Sequence, residues 1–172
     1  MRTPGILIAA PASGSGKTAA ACALMAAFTK RGLTVRACKC GPDYIDPMFH
    51  REVLGVDSRN LDLFFSSGEE LKEGYEAHIS GADLAVTEGV MGYYDGMSMD
   101  SDAASSYDVS RTLGLQVLLV LTCRGASLSL AAVVDGMIEY RQDSRLRRIL
   151  LNRVARRPSP RLNALPARPV HA

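Results

Sequence analysis

The sequence contains no apolar run that approaches the length of a membrane span, and no internal repeat. Met1-Arg2-Thr3-Pro4 leads straight into an apolar segment. A secretory leader is therefore not expected, and a cytoplasmic location is. The four cysteines, Cys22, Cys38, Cys40 and Cys123, lack a second close pair and the spacings of a zinc site. They are expected to be reduced thiols. Acidic residues stop at Asp143. Residues 1–143 hold 12 Lys+Arg and 18 Asp+Glu, whereas residues 144–172 hold eight Arg and no acid. The net charge of +2 thus hides an acidic body and a basic end. Such an end suits an anionic partner, and equally a solvated terminus with none. Neither a membrane nor a nucleic acid is expected as a partner.

With 172 residues, 47% apolar and 22% charged, the chain has the size and composition of one soluble domain with a substantial core. The stretch Gly5 to Thr18 organises it. An apolar run, Ile6-Leu7-Ile8-Ala9-Ala10, meets a small-residue loop, Pro11-Ala12-Ser13-Gly14-Ser15-Gly16. Lys17-Thr18 and an alanine-rich segment to Lys30 follow. That order is strand, phosphate-binding loop, helix. Backbone N–H groups of Ser13, Gly14, Ser15 and Gly16 would surround phosphate, helped by the positive end of the helix dipole. Lys17 would reach the β- and γ-phosphates of ATP, and the Thr18 hydroxyl would bind Mg²⁺. The strict pattern has glycine where this chain has Pro11, so the loop is a variant.

The remaining pattern alternates strand and helix. A first helix is expected over 17–30, a strand over 33–38, and a constrained polar loop over 40–50, where Pro42 and Pro47 interrupt regular structure. Leu61, Leu63, Phe64 and Phe65 are expected to be buried. Ser67 and Glu70 have capping-box spacing before a helix over 68–79. Further strands are expected over 82–87, 116–122 and 148–152, and helices over 103–113 and 128–141. The strands lack polar alternation, as strands buried on both faces do. The fold expected is α/β, a doubly wound, mostly parallel sheet of the P-loop NTPase type. Loops 11–18, 39–50, 88–102 and 152–153 each follow a strand and should meet in one crevice.

A nucleotide loop needs carboxylates for its metal. Asp43 and Asp46 lie in Gly41-Pro42-Asp43-Tyr44-Ile45-Asp46-Pro47. Glu88 ends a strand in Glu88-Gly89-Val90-Met91-Gly92-Tyr93-Tyr94-Asp95-Gly96. Mg²⁺ takes one or two carboxylates together with substrate phosphates. Asp43, Asp46 and Asp95 also suit ordinary turns. A charge at a buried strand end such as Glu88 is harder to explain structurally.

Together with Ser13-Gly14-Ser15-Gly16-Lys17-Thr18, these two stretches resemble cobyrinic acid a,c-diamide synthase and its relative acting on hydrogenobyrinic acid. The resemblance covers about residues 3–154 and implies the dethiobiotin synthetase-like branch of P-loop folds. It implies an ATP-dependent carbon–nitrogen ligase of cobalamin biosynthesis. ATP phosphorylates a corrin carboxylate, and ammonia released from glutamine displaces phosphate. In that reading Thr18, Asp43 and Glu88 hold Mg²⁺, and Lys17, Asp46 and Asp95 serve the reacting groups. Asn152, in Ile149-Leu150-Leu151-Asn152-Arg153, reads adenine; a strand-end cap is its plainer role.

The family also carries a C-terminal glutaminase domain with a Cys-His-Glu triad, which does not occur here, and no cysteine has a nucleophile-elbow context. Residues 1–154 are therefore expected to form the ATP-binding amidoligase domain. Residues 155–172 are expected to form a poorly ordered Pro/Arg-rich tail left by truncation or a shifted reading frame. Ammonia would come from a separate or missing glutaminase, and dimerisation is left open. Three other readings stand beside this one. A partition-type ATPase would need a lysine at Ala12. Dethiobiotin synthetase leaves Gly41 to Pro47 unexplained. The third is a nucleotide-binding remnant without complete activity.

Overall fold

The computed structural model describes residues 3–154. Six parallel strands, β1 (Gly5–Ala9), β2 (Val35–Cys40), β3 (Ser58–Leu61), β4 (Leu84–Glu88), β5 (Gln116–Thr122) and β6 (Leu146–Asn152), form one sheet in the order β3-β2-β4-β1-β5-β6. Five helices connect them: α1 (Lys17–Lys30), α2 (Ile45–Glu52), α3 (Gly68–Ile79), α4 (Ser106–Leu113) and α5 (Ser129–Glu139). The expected doubly wound architecture is present. Side chains alternate across the sheet, so each central strand feeds two cores. Leu7 and Ala9 of β1 pack with Leu71, Tyr75 and Ile79 of α3, Val109 and Leu113 of α4, and Val134 of α5. Ile8 and Ala10 pack on the opposite face with Ala20, Ala21 and Met25 of α1.

Helices α1 and α3 and strand β5 have the extents expected from sequence. Ser67 and Glu70 form the anticipated capping box on α3. Elsewhere the structure differs. Strand β2 continues through Lys39 and Cys40. The expected loop 40–50 contains α2, with Pro47 at its third position. The first-turn N–H groups of a helix have no intrahelical acceptor, so proline removes no bond there. Asp46 is accordingly helical rather than extended. Strand β3 lies in the stretch left unassigned. Phe64 and Phe65 are exposed and stack edge-on against each other, 4.7 Å between ring centres. Asp62 accepts the Phe64 N–H at 2.8 Å, turning the chain outward just after β3. β6 departs from two-sided burial: it is an edge strand, and Ile149 and Leu150 are exposed. The proposed tail, residues 155–172, lies outside the described residues.

All four cysteines are free thiols. Cys38 and Cys40 point into one core, where burial raises both thiols, Cys40 to about 12. A low thiolate fraction and steric shielding should make both inert. Native protein titrated with a disulfide reagent near pH 8 should leave Cys38 and Cys40 unmodified, with slow reaction confined to partly exposed Cys22. Denaturation should release four thiols. Fast native labelling at Cys38 or Cys40 would contradict this packing.

Candidate functional site

The site forms where β1, β2 and β4 end. Gly16 closes the first loop at φ 101° and precedes α1. A Cβ at Gly16 would also collide with the Asn152 side-chain amide. Asn152 donates from Nδ2 to the Ser15 carbonyl at 2.9 Å, so β6 braces the loop. Ser15 Oγ donates to the Ala12 carbonyl at 2.9 Å.

The residues after β4 lie across this loop. Gly89 N–H donates to the Ile8 carbonyl and Tyr93 N–H to the Ala10 carbonyl. A Cβ at Gly92 would come within 2.6 Å of the Pro11 carbonyl oxygen, so only glycine permits the approach. Lys17 Nζ donates to the Met91 carbonyl at 2.6 Å and to that of Ala12 at 3.4 Å. Burial lowers the Lys17 pKa and the Lys39 ammonium adds to this, with Glu88 and Asp95 opposing. Asp95 Oδ2 accepts the Gly92 N–H at 2.8 Å.

Beside the loop lies a charged cluster. β2 and β4 pair in a register that sets Lys39 next to Glu88. Lys39 Nζ lies 2.6 Å from Asp46 Oδ2, 2.9 Å from Glu88 Oε1 and 3.7 Å from Asp43 Oδ2. Thr18 Oγ1 donates to Glu88 Oε1 at 2.5 Å. Burial alone would lower the Lys39 pKa; Glu88 and Asp46 outweigh it and raise it, so the ammonium persists. Burial raises the Glu88 pKa, opposed by Lys39 and Thr18. Asp43 Oδ1 accepts the N–H groups of Ile45 at 2.8 Å and Asp46 at 3.3 Å. Burial opposes ionisation of Asp43, but these bonds and then Lys39 hold its carboxyl below its ordinary value.

Thr18, Asp43, Asp46 and Glu88 thus gather around one ammonium, Lys17 and Asp95 lie across the loop, and Asn152 flanks it. Two members were not singled out from sequence. Lys39 read as a strand residue, and only its pairing with Glu88 reveals it. His50 sat in a stretch read as loop. It is fully buried, with Nδ1 3.0 Å from Ser58 Oγ. Burial lowers its pKa, so the ring is neutral.

For Mg²⁺ the donor chemistry fits: Thr18 and Glu88 offer adjacent hard oxygens at the loop. Among the described residues no three His, Cys, Asp or Glu side chains form a cage. An ion here would take its other ligands from water and phosphate.

A family model described as the CobQ/CobB/MinD/ParA nucleotide binding domain matches residues 6–164. The cobyrinate a,c-diamide synthase of Gloeobacter violaceus is 46% identical over 149 residues, 87% of this chain and 33% of that protein. The hydrogenobyrinate a,c-diamide synthase of Streptomyces coelicolor is 43% identical over 152 residues, 88% of this chain and 31% of that protein. The chain spans about a third of the length of the curated relatives it matches. Among solved structures, the 54 kDa signal recognition particle protein of Aeropyrum pernix, in complex with GDP, aligns with TM-score 0.64 and 16% identity. That alignment covers 88% of this chain and 35% of that one, and it supports the P-loop α/β fold.

Removing Lys39 would strand Glu88 and Asp46 without their shared cation. Lys39→Met should lower unfolding free energy by about 3–5 kcal/mol in urea titrations. Adding Glu88→Gln should recover part of the loss. Because folding raises the Lys39 pKa, its contribution is fully present below about 10.5. It is lost as pH rises through the folded value. A single mutant as stable as wild type at neutral pH would show the cluster to be energetically idle.

Proposed function

The chain belongs to the CobQ/CobB/MinD/ParA nucleotide-binding family, and from that premise we propose that it is the ATP-dependent ligase part of a cobyrinate or hydrogenobyrinate a,c-diamide synthase. The observation that carries the reading is the meeting of Thr18 and Glu88 at the mouth of the phosphate loop, with Asp46 and Asp95 on neighbouring segments. The names of the relatives supply the substrate class.

A carboxylate resists amidation because its leaving group would be oxide. Transfer of the γ-phosphoryl group from ATP to a corrin carboxylate oxygen gives an acyl phosphate and ADP. Ammonia then attacks the carbonyl carbon, the C–O bond to phosphate breaks, and amide, phosphate and a proton are released. In this scheme the backbone from Ser13 to Gly16 surrounds the phosphates. Lys17 leaves the Met91 carbonyl to follow charge on the γ-phosphoryl group. Thr18, Glu88 and Asp43 would hold Mg²⁺, which offsets phosphate charge when bound. Asp46 and Asp95 would orient the corrin carboxylate, and Asn152 would face adenine.

Ammonia would be supplied by a glutaminase in the part of the relatives that this chain does not span, or on another chain. We place the activity in the cytoplasm. No helix among the described residues is long and apolar enough to cross a membrane.

Calorimetry should show ATP analogue binding that strengthens with Mg²⁺, and Lys17→Ala should lose about 2–5 kcal/mol of it. With ATP, a corrin acid and ammonium, the protein should form amide; with glutamine in place of ammonium it should not. Asp95→Asn should retain nucleotide affinity yet lose about a hundredfold in amidation rate, a contribution made in the transition state. Equal affinities for wild type and Lys17→Ala would refute the loop assignment. Amide formation without ATP would refute the acyl-phosphate route.

A further inference from the structure

Behind Glu88, two buried polar atoms face each other across 3.8 Å with no hydrogen-bond partner: His50 Nε2 and Glu88 Oε2. Both side chains are closed to solvent, at 0% and 1% exposure. A buried donor and a buried acceptor left unpaired are both costly, and a small rotation of either side chain would join them. The front oxygen, Oε1, is already engaged by Thr18 and Lys39. The carboxylate therefore has a loaded side toward the phosphate loop and an empty side toward His50.

The ring is well anchored. Nδ1 lies 3.0 Å from Ser58 Oγ. Next to His50 on the same helix, Arg51 donates to the Ser58 carbonyl at 2.9 Å. With the Ser58 hydroxyl donating to Nδ1, the single proton of a neutral imidazole sits on Nε2, facing Glu88.

Resting on the function proposed above, we propose that His50 is a positioning residue for Glu88, its Nε2–H holding the rear carboxylate oxygen so that the front oxygen stays aimed at Thr18 and a phosphate-bound Mg²⁺. A neutral donor suits this task. It orients the carboxylate without supplying a second positive charge beside Lys39, and so leaves negative charge for the metal. Hydrogen bonds behind a metal ligand commonly set its orientation in this manner. The contact also joins α2, which carries Asp46, to β4. The same imidazole thereby keeps the two carboxylates that flank Lys39 in fixed relation.

Glutamine and asparagine variants separate positioning from packing. A glutamine amide nitrogen reaches the place of Nε2, whereas that of asparagine reaches only the place of Nδ1. Affinity for a non-hydrolysable ATP analogue is measured with and without Mg²⁺, alongside melting temperature. His50→Asn should reduce the Mg²⁺-dependent gain in affinity about tenfold or more, leaving metal-free affinity unchanged. His50→Gln should restore most of that gain. In the wild-type protein, ¹⁵N-detected ring correlations should show the neutral Nε2–H tautomer, a readout that needs no variant to fold.

An Nδ1–H tautomer overturns the proposal. So do equal losses in His50→Asn and His50→Gln, or losses of metal-free affinity that track melting temperature; these show a packing role. A wild-type protein whose nucleotide affinity ignores Mg²⁺ overturns the functional reading along with this inference. Wild-type Mg²⁺ dependence with indistinguishable variants overturns this inference alone.

Discussion

The structure turns on a buried charge pair. Lys39 and Glu88 lie side by side on adjacent parallel strands, 6% and 1% exposed at their side chains. Neither charge is tolerable there alone, because desolvation of an unpaired ion costs several kcal/mol. Each therefore depends on the pairing of β2 with β4, and that pairing in turn fixes β4 between β2 and β1. Asp46 on α2 and Thr18 on α1 complete the coordination of the two charges. One electrostatic knot thus links two strands and the starts of two helices at the same edge of the sheet.

The second constraint is steric. The phosphate loop and the segment after β4 occupy nearly the same space, separated by backbone hydrogen bonds rather than side chains. Gly16 and Gly92 make this contact feasible, one beside Asn152 and the other beside the Pro11 carbonyl. The Lys17–Met91 bond spans the same junction. Rigidity in the strands beneath and close backbone contact above together give a site whose polar groups are positioned before any ligand arrives.

The parts legible in the sequence were those governed by local rules. Gly-Lys-Thr after an apolar strand marks the phosphate loop, Ser67 with Glu70 marks the start of α3, and the run Val117 to Leu121 marks a buried strand. What escaped reading depended on partners distant in sequence. Lys39 looked like an ordinary strand lysine because its meaning lies in register with Glu88, 49 residues away. The prolines near 42–47 read as interruptions, whereas Asp43 and Pro47 fit the unsatisfied first turn of α2. His50 became visible only once α2 placed it over β3 and β4. Phe64 and Phe65 were assigned to the core by hydrophobicity alone, and the Asp62 turn directs them outward. Roles at the site followed from resemblance for Asp43, Asp46, Asp95 and Asn152; the geometry gathers them without assigning their chemistry.

The outer margin of β6 has a consequence for how the protein behaves in bulk. A parallel sheet ordinarily has both faces covered, yet here its last strand presents Ile149 and Leu150 to solvent beside an unpaired row of backbone groups. Such a margin is a template for adding strands from other molecules. Arg147 and Arg148 lie on the same strand, and two copies meeting edge to edge would bring like charges together. Colloidal behaviour therefore depends on ionic strength: salt that screens the arginines removes the repulsion but leaves the sticky margin intact. Low salt favours separate molecules, and high salt favours their association.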